Sequence, residues 1–197
     1  MEQDSTFQKA PRVKTNYFGI KLGGLASSFA HNSSLALPSP ANLKMIGWQA
    51  GFAMDMFTQK NYNARVELSY NTKGARETFS SDPIAIQTQN KLQYVHLSVL
   101  PLIVKHSLGK VTPYLGLGGY YARRVGIKSR WKPGTTWEDD VQTAQNLNVK
   151  NDFGYSVSLG IYVRKKPFVE IRYEGGLNSV SSTTRIRNRS VALSFAF

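Results

Sequence analysis

The chain has 197 residues, no cysteine, and a formal charge of +13 from 25 basic and 12 acidic residues. That length suits one domain, and the missing cysteine excludes disulfides and thiolate metal sites. No apolar run approaches the ~18–20 residues of a spanning helix, so passage through a membrane would have to be made by strands.

Met1-Glu2-Gln3-Asp4 is polar and acidic where a signal peptide has a basic stretch and an apolar core. The sequence is therefore expected to start near the mature start of an exported protein, without its signal peptide. Residues 1–14 read as a polar periplasmic lead-in, followed by one domain over 15–197.

Side chains alternate between faces along a strand, so period-two patterns mark strands with one apolar face. In the first run, Phe18, Ile20 and Leu22 oppose Tyr17, Gly19, Lys21 and Gly23. In the second, Ile46, Trp48, Ala50, Phe52, Met54 and Met56 oppose Gly47, Gln49, Gly51, Ala53 and Asp55. The third sets Ala64, Val66, Leu68 and Tyr70 against Arg65, Glu67, Ser69 and Asn71. A fourth run, about Leu92 to Val104, is apolar on both faces and its phase is ambiguous. The fifth opposes Pro113, Leu115, Leu117 and Tyr121 to Tyr114, Gly116, Gly118 and Tyr120. In the sixth, Phe153, Tyr155, Val157, Leu159, Ile161 and Val163 oppose Asp152, Gly154, Ser156, Ser158 and Gly160. The seventh sets Val169, Ile171 and Tyr173 against Phe168, Glu170, Arg172 and Glu174. The eighth ends the chain, with Val191, Leu193, Phe195 and Phe197 on one face and Ala192, Ser194 and Ala196 on the other. Helical spacing is nowhere sustained.

The connections alternate in length. Thr58–Asn61, Ser107–Lys110 and Arg164–Lys166 are tight, while His31–Leu43, Thr72–Gln89 and Lys128–Val149 are long and polar. Short turns on one side and long loops on the other are the pattern of an up-and-down outer-membrane barrel with both termini in the periplasm. A soluble lipocalin-like carrier would need an apolar interior and a wet exterior, and a sandwich would need a second sheet over the Trp, Phe and Met face. Here the smaller face carries glycine, serine and charges of both signs: Lys21, Asp55, Arg65, Glu67, Glu170, Arg172 and Glu174. As a barrel interior, these form an ion-pair network in a narrow lumen. The expected fold is an all-β, eight-stranded antiparallel up-and-down transmembrane β-barrel in the outer membrane.

Several segments resemble the PorT-like outer-membrane β-barrel family, in family order. They are Gly19-Ile20-Lys21-Leu22-Gly23-Gly24, Glu67-Leu68-Ser69-Tyr70 with Lys73-Gly74, and Leu100-Pro101-Leu102-Ile103-Val104-Lys105. Pro113-Tyr114-Leu115-Gly116-Leu117-Gly118-Gly119, Glu170-Ile171-Arg172-Tyr173 with Gly176-Leu177-Asn178, and Leu193-Ser194-Phe195-Ala196-Phe197 follow. Such proteins often carry a glutamate two residues before the strand-four proline, where this chain has Val99. The resemblance implies a small outer-membrane barrel and no single activity, because the family is broad; its namesake assists protein secretion. The ridge of Val191, Leu193, Phe195 and Phe197 also resembles the C-terminal signal read by the outer-membrane assembly machinery.

His96-Leu97-Ser98 places an imidazole and a hydroxyl on one strand face, similar to the His-x-Ser of lipid A deacylases, but strands four and five supply no obvious acid to orient the histidine. Gly116-Leu117-Gly118-Gly119 is not a phosphate loop, since no Lys-Ser/Thr or helix follows. The histidines are scattered and no carboxylate cluster has metal-ligand spacing, so no metal or cofactor is expected. Lys128, Arg130, Trp131, Lys132 and Trp137 form a candidate binding loop with Glu138-Asp139-Asp140 beside it, and Arg185, Arg187 and Arg189 add to a positive outer rim. The scattered basic residues suit lipopolysaccharide or an anionic partner rather than nucleic acid. The function expected is a non-enzymatic accessory or structural subunit of an envelope or secretion assembly. A stand-alone surface binding protein and an esterase using His96 and Ser98 are the alternatives.

Overall fold

The computed structural model describes residues 17–31, 41–81, 84–132, 135–164, 166–181 and 186–197. The expected lead-in over 1–14 and most of the first long connection lie outside them, as does Arg185. The strands are β1 (Tyr17–His31), β2 (Ala41–Met56), β3 (Tyr62–Ser81), β4 (Ile84–Lys105) and β5 (Val111–Lys132). A two-residue β6 (Glu138–Asp139) and helix α1 (Val141–Asn146) precede β7 (Asn151–Val163), β8 (Lys166–Gly176) and β9 (Ile186–Ala196).

Each long strand pairs antiparallel with the next, β5 pairs with β7, and β9 returns to β1, closing a ring of eight with β6 appended to β5. Closure leaves the membrane-embedded part with no free sheet edge, which backbone groups in lipid require. The chain end is locked into this seam. Phe197 N–H donates to Ile20 O at 2.9 Å, and the Tyr17 hydroxyl donates to Phe197 O at 3.1 Å.

The outer wall is apolar. Phe18, Ile20, Leu22, Trp48, Phe52, Leu68, Leu115, Leu117, Leu159, Ile171, Val191, Leu193 and Phe195 all stand exposed. Cross-strand aromatic pairs stiffen this surface: Phe18 on Phe52 at 5.9 Å, Trp48 on Tyr70 at 5.4 Å and Tyr155 on Tyr173 at 6.0 Å. No helix among the described residues is long and apolar enough to cross a membrane; the strands do so.

Several features differ from the sequence reading. The segment 72–89 is not a loop: β3 and β4 stay in register from Thr72↔Gln93 to Ser81↔Ile84, forming a hairpin that outruns the membrane. A tilted strand needs ~9–11 residues to cross, whereas β3, β4 and β5 have 20, 22 and 22. Outside lipid both faces of a ribbon turn polar, as in Gln87-Thr88-Gln89-Asn90, so the hydrophobic alternation vanishes while the strand continues. Likewise Lys128, Arg130, Trp131 and Lys132 belong to β5 rather than to a loop, and β6 and α1 occupy part of the segment read as a long polar connection.

The remaining differences come from bulges, which insert a residue and reset the alternation. The ambiguous phase of β4 arises at Pro101: Tyr94, His96, Ser98 and Leu100 point inward, the register shifts between Val99 and Leu102, and Ile103 points inward again. A shift between Ile161 and Tyr162 against β8 turns Phe168 outward, where it packs edge-on to Phe195 at 6.3 Å, not inward as its period suggests. Ala64, at the irregularity between Asn63 and Arg65, is buried rather than exposed.

Candidate functional site: a filled, ion-paired lumen and a basic outer ribbon

β1, β2, β3 and β8 each direct charged side chains at the barrel axis from alternate positions. Lys21, Asp55, Arg65, Glu67, Glu170, Arg172 and Glu174 are all buried. Glycines and serines on the facing strands leave room for them. Gly116 is backed by Ser158 Oγ, and a Cβ at Gly118 would stand 2.1 Å from Val99 O.

Glu170 is the hub. Its Oε1 receives Lys21 Nζ at 2.6 Å and Arg172 Nη2 at 2.7 Å, and its Oε2 receives Arg65 Nη1 at 2.9 Å and the Tyr114 hydroxyl at 2.6 Å. Glu67 shares the same cations: Lys21 at 3.0 Å, Arg172 at 2.8 Å and Arg65 at 3.7 Å. Arg65 also donates through Nε to Asp55 at 2.6 Å, and the Tyr162 hydroxyl donates to the other Asp55 oxygen at 2.7 Å. Lys21, Arg65 and Arg172 thus balance Asp55, Glu67 and Glu170, which is the condition for charges to persist in a low-dielectric interior.

A second cluster lies toward the extracellular side. Lys73 donates to Glu174 at 2.6 Å and stands 4.5 Å from the centre of the Tyr120 ring. His96 stacks on Tyr120 at 5.0 Å, with Nε2 3.3 Å from Glu174 Oε1 but off the hydrogen-bonding direction. Asp152, fully buried, accepts from Asn188 at 2.8 Å and from Tyr120 at 3.3 Å. Sequence reasoning missed Lys73 because it fell within the segment taken as a loop. Its place two positions beyond Asn71, on the face that carries Arg65 and Glu67, was the available signal.

Above this cluster apolar side chains pack the lumen among buried polar ones that include Glu77, Thr88, Asn90 and Ser129. Phe29, Leu92, Tyr94, Ala122, Leu147 and Val180 form one buried group. Leu147 is delivered by α1, whose Asp140 cap accepts from Thr143 N at 2.8 Å, and the Arg124 guanidinium holds the Leu147 carbonyl. Below the hub, Leu100, Ile103, Tyr114 and Tyr162 make a smaller buried group. The barrel is therefore filled along its axis, as expected for a ring of eight strands.

His96 and Ser98 do share the inward face, and their surroundings are structural. The Ser98 hydroxyl accepts from Arg172 Nη1 at 3.1 Å, and both residues are buried away from the lipid-facing wall. Glu174, from β8, is the acid that sequence reasoning sought only in strands four and five.

The candidate binding residues lie on the outer ribbon. Lys128 and Arg130 are exposed, Arg130 Nε pairs with Asp139 at 3.3 Å, and Trp131 stands opposite Glu138 across the β5–β6 pairing. The Arg76 guanidinium lies 5.9 Å from the centre of the Trp137 ring. Arg187 and Arg189 lie on β9, near its extracellular end. Part of the basic surface is thus paired within the chain, while Lys128 is exposed with no ion pair among the described residues. Val191, Leu193, Phe195 and Phe197 all project from the outer wall.

A closed antiparallel ring with an apolar exterior and a charged, filled interior defines an integral β-barrel of the outer membrane. The chain belongs to the outer membrane protein beta-barrel domain family, whose sequence model matches residues 3–182. Among curated proteins none matches the sequence. Solved structures similar to it include Neisserial surface protein A, 13% identical with TM-score 0.45, covering 93% of this chain and 99% of that one. The attachment invasion locus protein Ail of Yersinia pestis is 12% identical with TM-score 0.40, covering 91% and 97%. The outer membrane enzyme PagL is 11% identical with TM-score 0.39, covering 89% and 98%.

Proposed function

We propose that this outer-membrane barrel is a non-enzymatic accessory or structural subunit of an envelope or protein-secretion assembly, of the PorT-like kind. The observation that carries this reading is the division between a filled lumen and an over-long exterior. The axis is closed by ion pairs and apolar side chains, while β3, β4 and β5 carry a basic ribbon well beyond the membrane. A barrel with no passage works through its surfaces. Lipopolysaccharide phosphates suit the exposed Lys128 and Arg189 and the half-buried Arg187, and the assembly machinery would read the C-terminal ridge ending at Phe197 during insertion.

Extraction of native outer membranes in mild detergent, followed by sizing and identification of co-purifying chains, tests the reading. It expects a large assembly of fixed stoichiometry; recovery of the barrel alone would overturn it in favour of a stand-alone surface binding protein.

A lipid-modifying esterase has one observation in its favour, the approach of Glu174 to His96 at 3.3 Å. Against it stand the lumen-facing burial of both His96 and Ser98 and the Arg172 hydrogen bond that occupies the serine. A changed lipid A profile after Ser98→Ala would favour the enzyme; an unchanged one supports the accessory role.

A further inference from the structure

The periplasmic mouth carries a feature that the filled lumen does not explain. Between the β2–β3, β4–β5 and β7–β8 turns lies a cup of about 560 Å³, lined by Lys60, Lys105, Lys110 and Arg164, with Gln59 and Thr112 among them. The cations come from all three turns, so no single local sequence accounts for their convergence. The acid at its floor, Asp55, is already committed to Arg65 at 2.6 Å and to Tyr162 at 2.7 Å. Lys60, Lys110 and Arg164 have no ion-pair partner among the described residues, and the Lys105 ammonium donates to the Gln59 carbonyl at 3.1 Å and stands 5.6 Å from the centre of the Tyr162 ring.

Like charges gathered around a concavity focus a positive potential and raise the local concentration of anions. Arg164 is held there at a conformational cost. Its φ is +50°, in the left-handed region that favours glycine, yet the position carries a guanidinium that lines the cup. The volume lies in the range of roughly 300–1,000 Å³ typical of ligand pockets and far exceeds that of one carboxylate. Cations distributed over separate turns match carboxylates distributed along a chain.

We propose that the periplasmic mouth is a docking site for an acidic peptide segment of an envelope partner, which seats its carboxylates against Lys60, Lys105, Lys110 and Arg164. This deepens the accessory reading by naming where and by what chemistry a partner engages, and so rests on it.

The test uses the full-length barrel in detergent with fluorescent hexaglutamate as the probe. Binding is expected to weaken by about tenfold or more in Lys60→Glu/Lys110→Glu, since reversing rim charges replaces attraction with repulsion. Arg164→Gly, which relieves the backbone and removes the guanidinium, is expected to weaken binding without lowering stability. Arg123→Glu/Lys150→Glu, at exposed positions on the extracellular side, is the control for general basicity. Equal loss in that control, or no loss in the mouth variants, would overturn the site. Inorganic tripolyphosphate binding more tightly than hexaglutamate would overturn the peptide assignment. In native membranes, an assembly that survives Lys60→Glu/Lys110→Glu intact contradicts this site and leaves the accessory role standing. A barrel that runs alone yet binds hexaglutamate at the mouth contradicts the accessory role instead.

Discussion

Replacing Glu170 by glutamine is the most informative single change to the lumen. The two side chains have the same shape, but the carboxamide offers one acceptor where the carboxylate offers two. In the barrel Oε1 serves Lys21 and Arg172 at 2.6 and 2.7 Å, and Oε2 serves Arg65 and Tyr114 at 2.9 and 2.6 Å. Either orientation of the amide therefore sets an NH2 group against two donors, at least one of them cationic. Lys21, Arg65 and Arg172 are left with Asp55 and Glu67 alone, an excess of one buried positive charge. Breaking a buried pair on one side costs about 3–5 kcal/mol, a large share of a typical stability of about 5–15 kcal/mol. Urea unfolding in detergent, followed by tryptophan fluorescence and heat-modifiable gel mobility, measures the loss. Adding Lys21→Met restores neutrality, since Glu67 keeps Arg172 at 2.8 Å, and is expected to recover about 1 kcal/mol or more as coupling between the two sites. A cost below about 1 kcal/mol for Glu170→Gln, the range of an exposed pair, would refute the reasoning. So would strict additivity in the double variant.

Gly118→Ala is expected to lower the folded yield, because its Cβ would stand 2.1 Å from Val99 O, whereas Gly24→Ala, with nothing within 4 Å, is expected to be neutral; refolding yields of the two variants compare them directly. Phe197→Ser keeps the backbone bond to Ile20 and the Tyr17 contact. It is expected to reduce the amount reaching the outer membrane several-fold while the purified, refolded variant keeps its unfolding midpoint. Normal membrane levels would contradict the reading of Phe197 as part of an assembly signal.

The membrane part of the fold was legible because lipid imposes a sharp rule: apolar outward, small or charged inward, at period two. Strands β1, β2, β7 and β9 follow it without interruption, so Lys21, Asp55 and the Val191-to-Phe197 ridge could be placed from their phase alone. The rule fails wherever its cause does. Beyond the membrane nothing requires an apolar face, so the hairpin of β3 and β4 read as a loop and Lys73 was lost with it. At Pro101 and Phe168 an inserted residue reverses the phase locally, and hydropathy carries no mark of the insertion. Glu174 reaches His96 across the barrel from β8, a proximity set by ring closure rather than by local sequence. The cup at the periplasmic mouth is equally non-local, since Lys60, Lys110 and Arg164 are brought together only when the turns meet.

A filled lumen leaves no path for ions along the barrel axis. Purified barrel reconstituted into a planar lipid bilayer under applied voltage tests it most directly. With Arg65, Lys73, Tyr94, Leu92 and Leu100 all fully buried along the axis, the bilayer is predicted to stay electrically silent. Sustained, discrete conductance steps would show an open path through the ion-pair network and contradict the account.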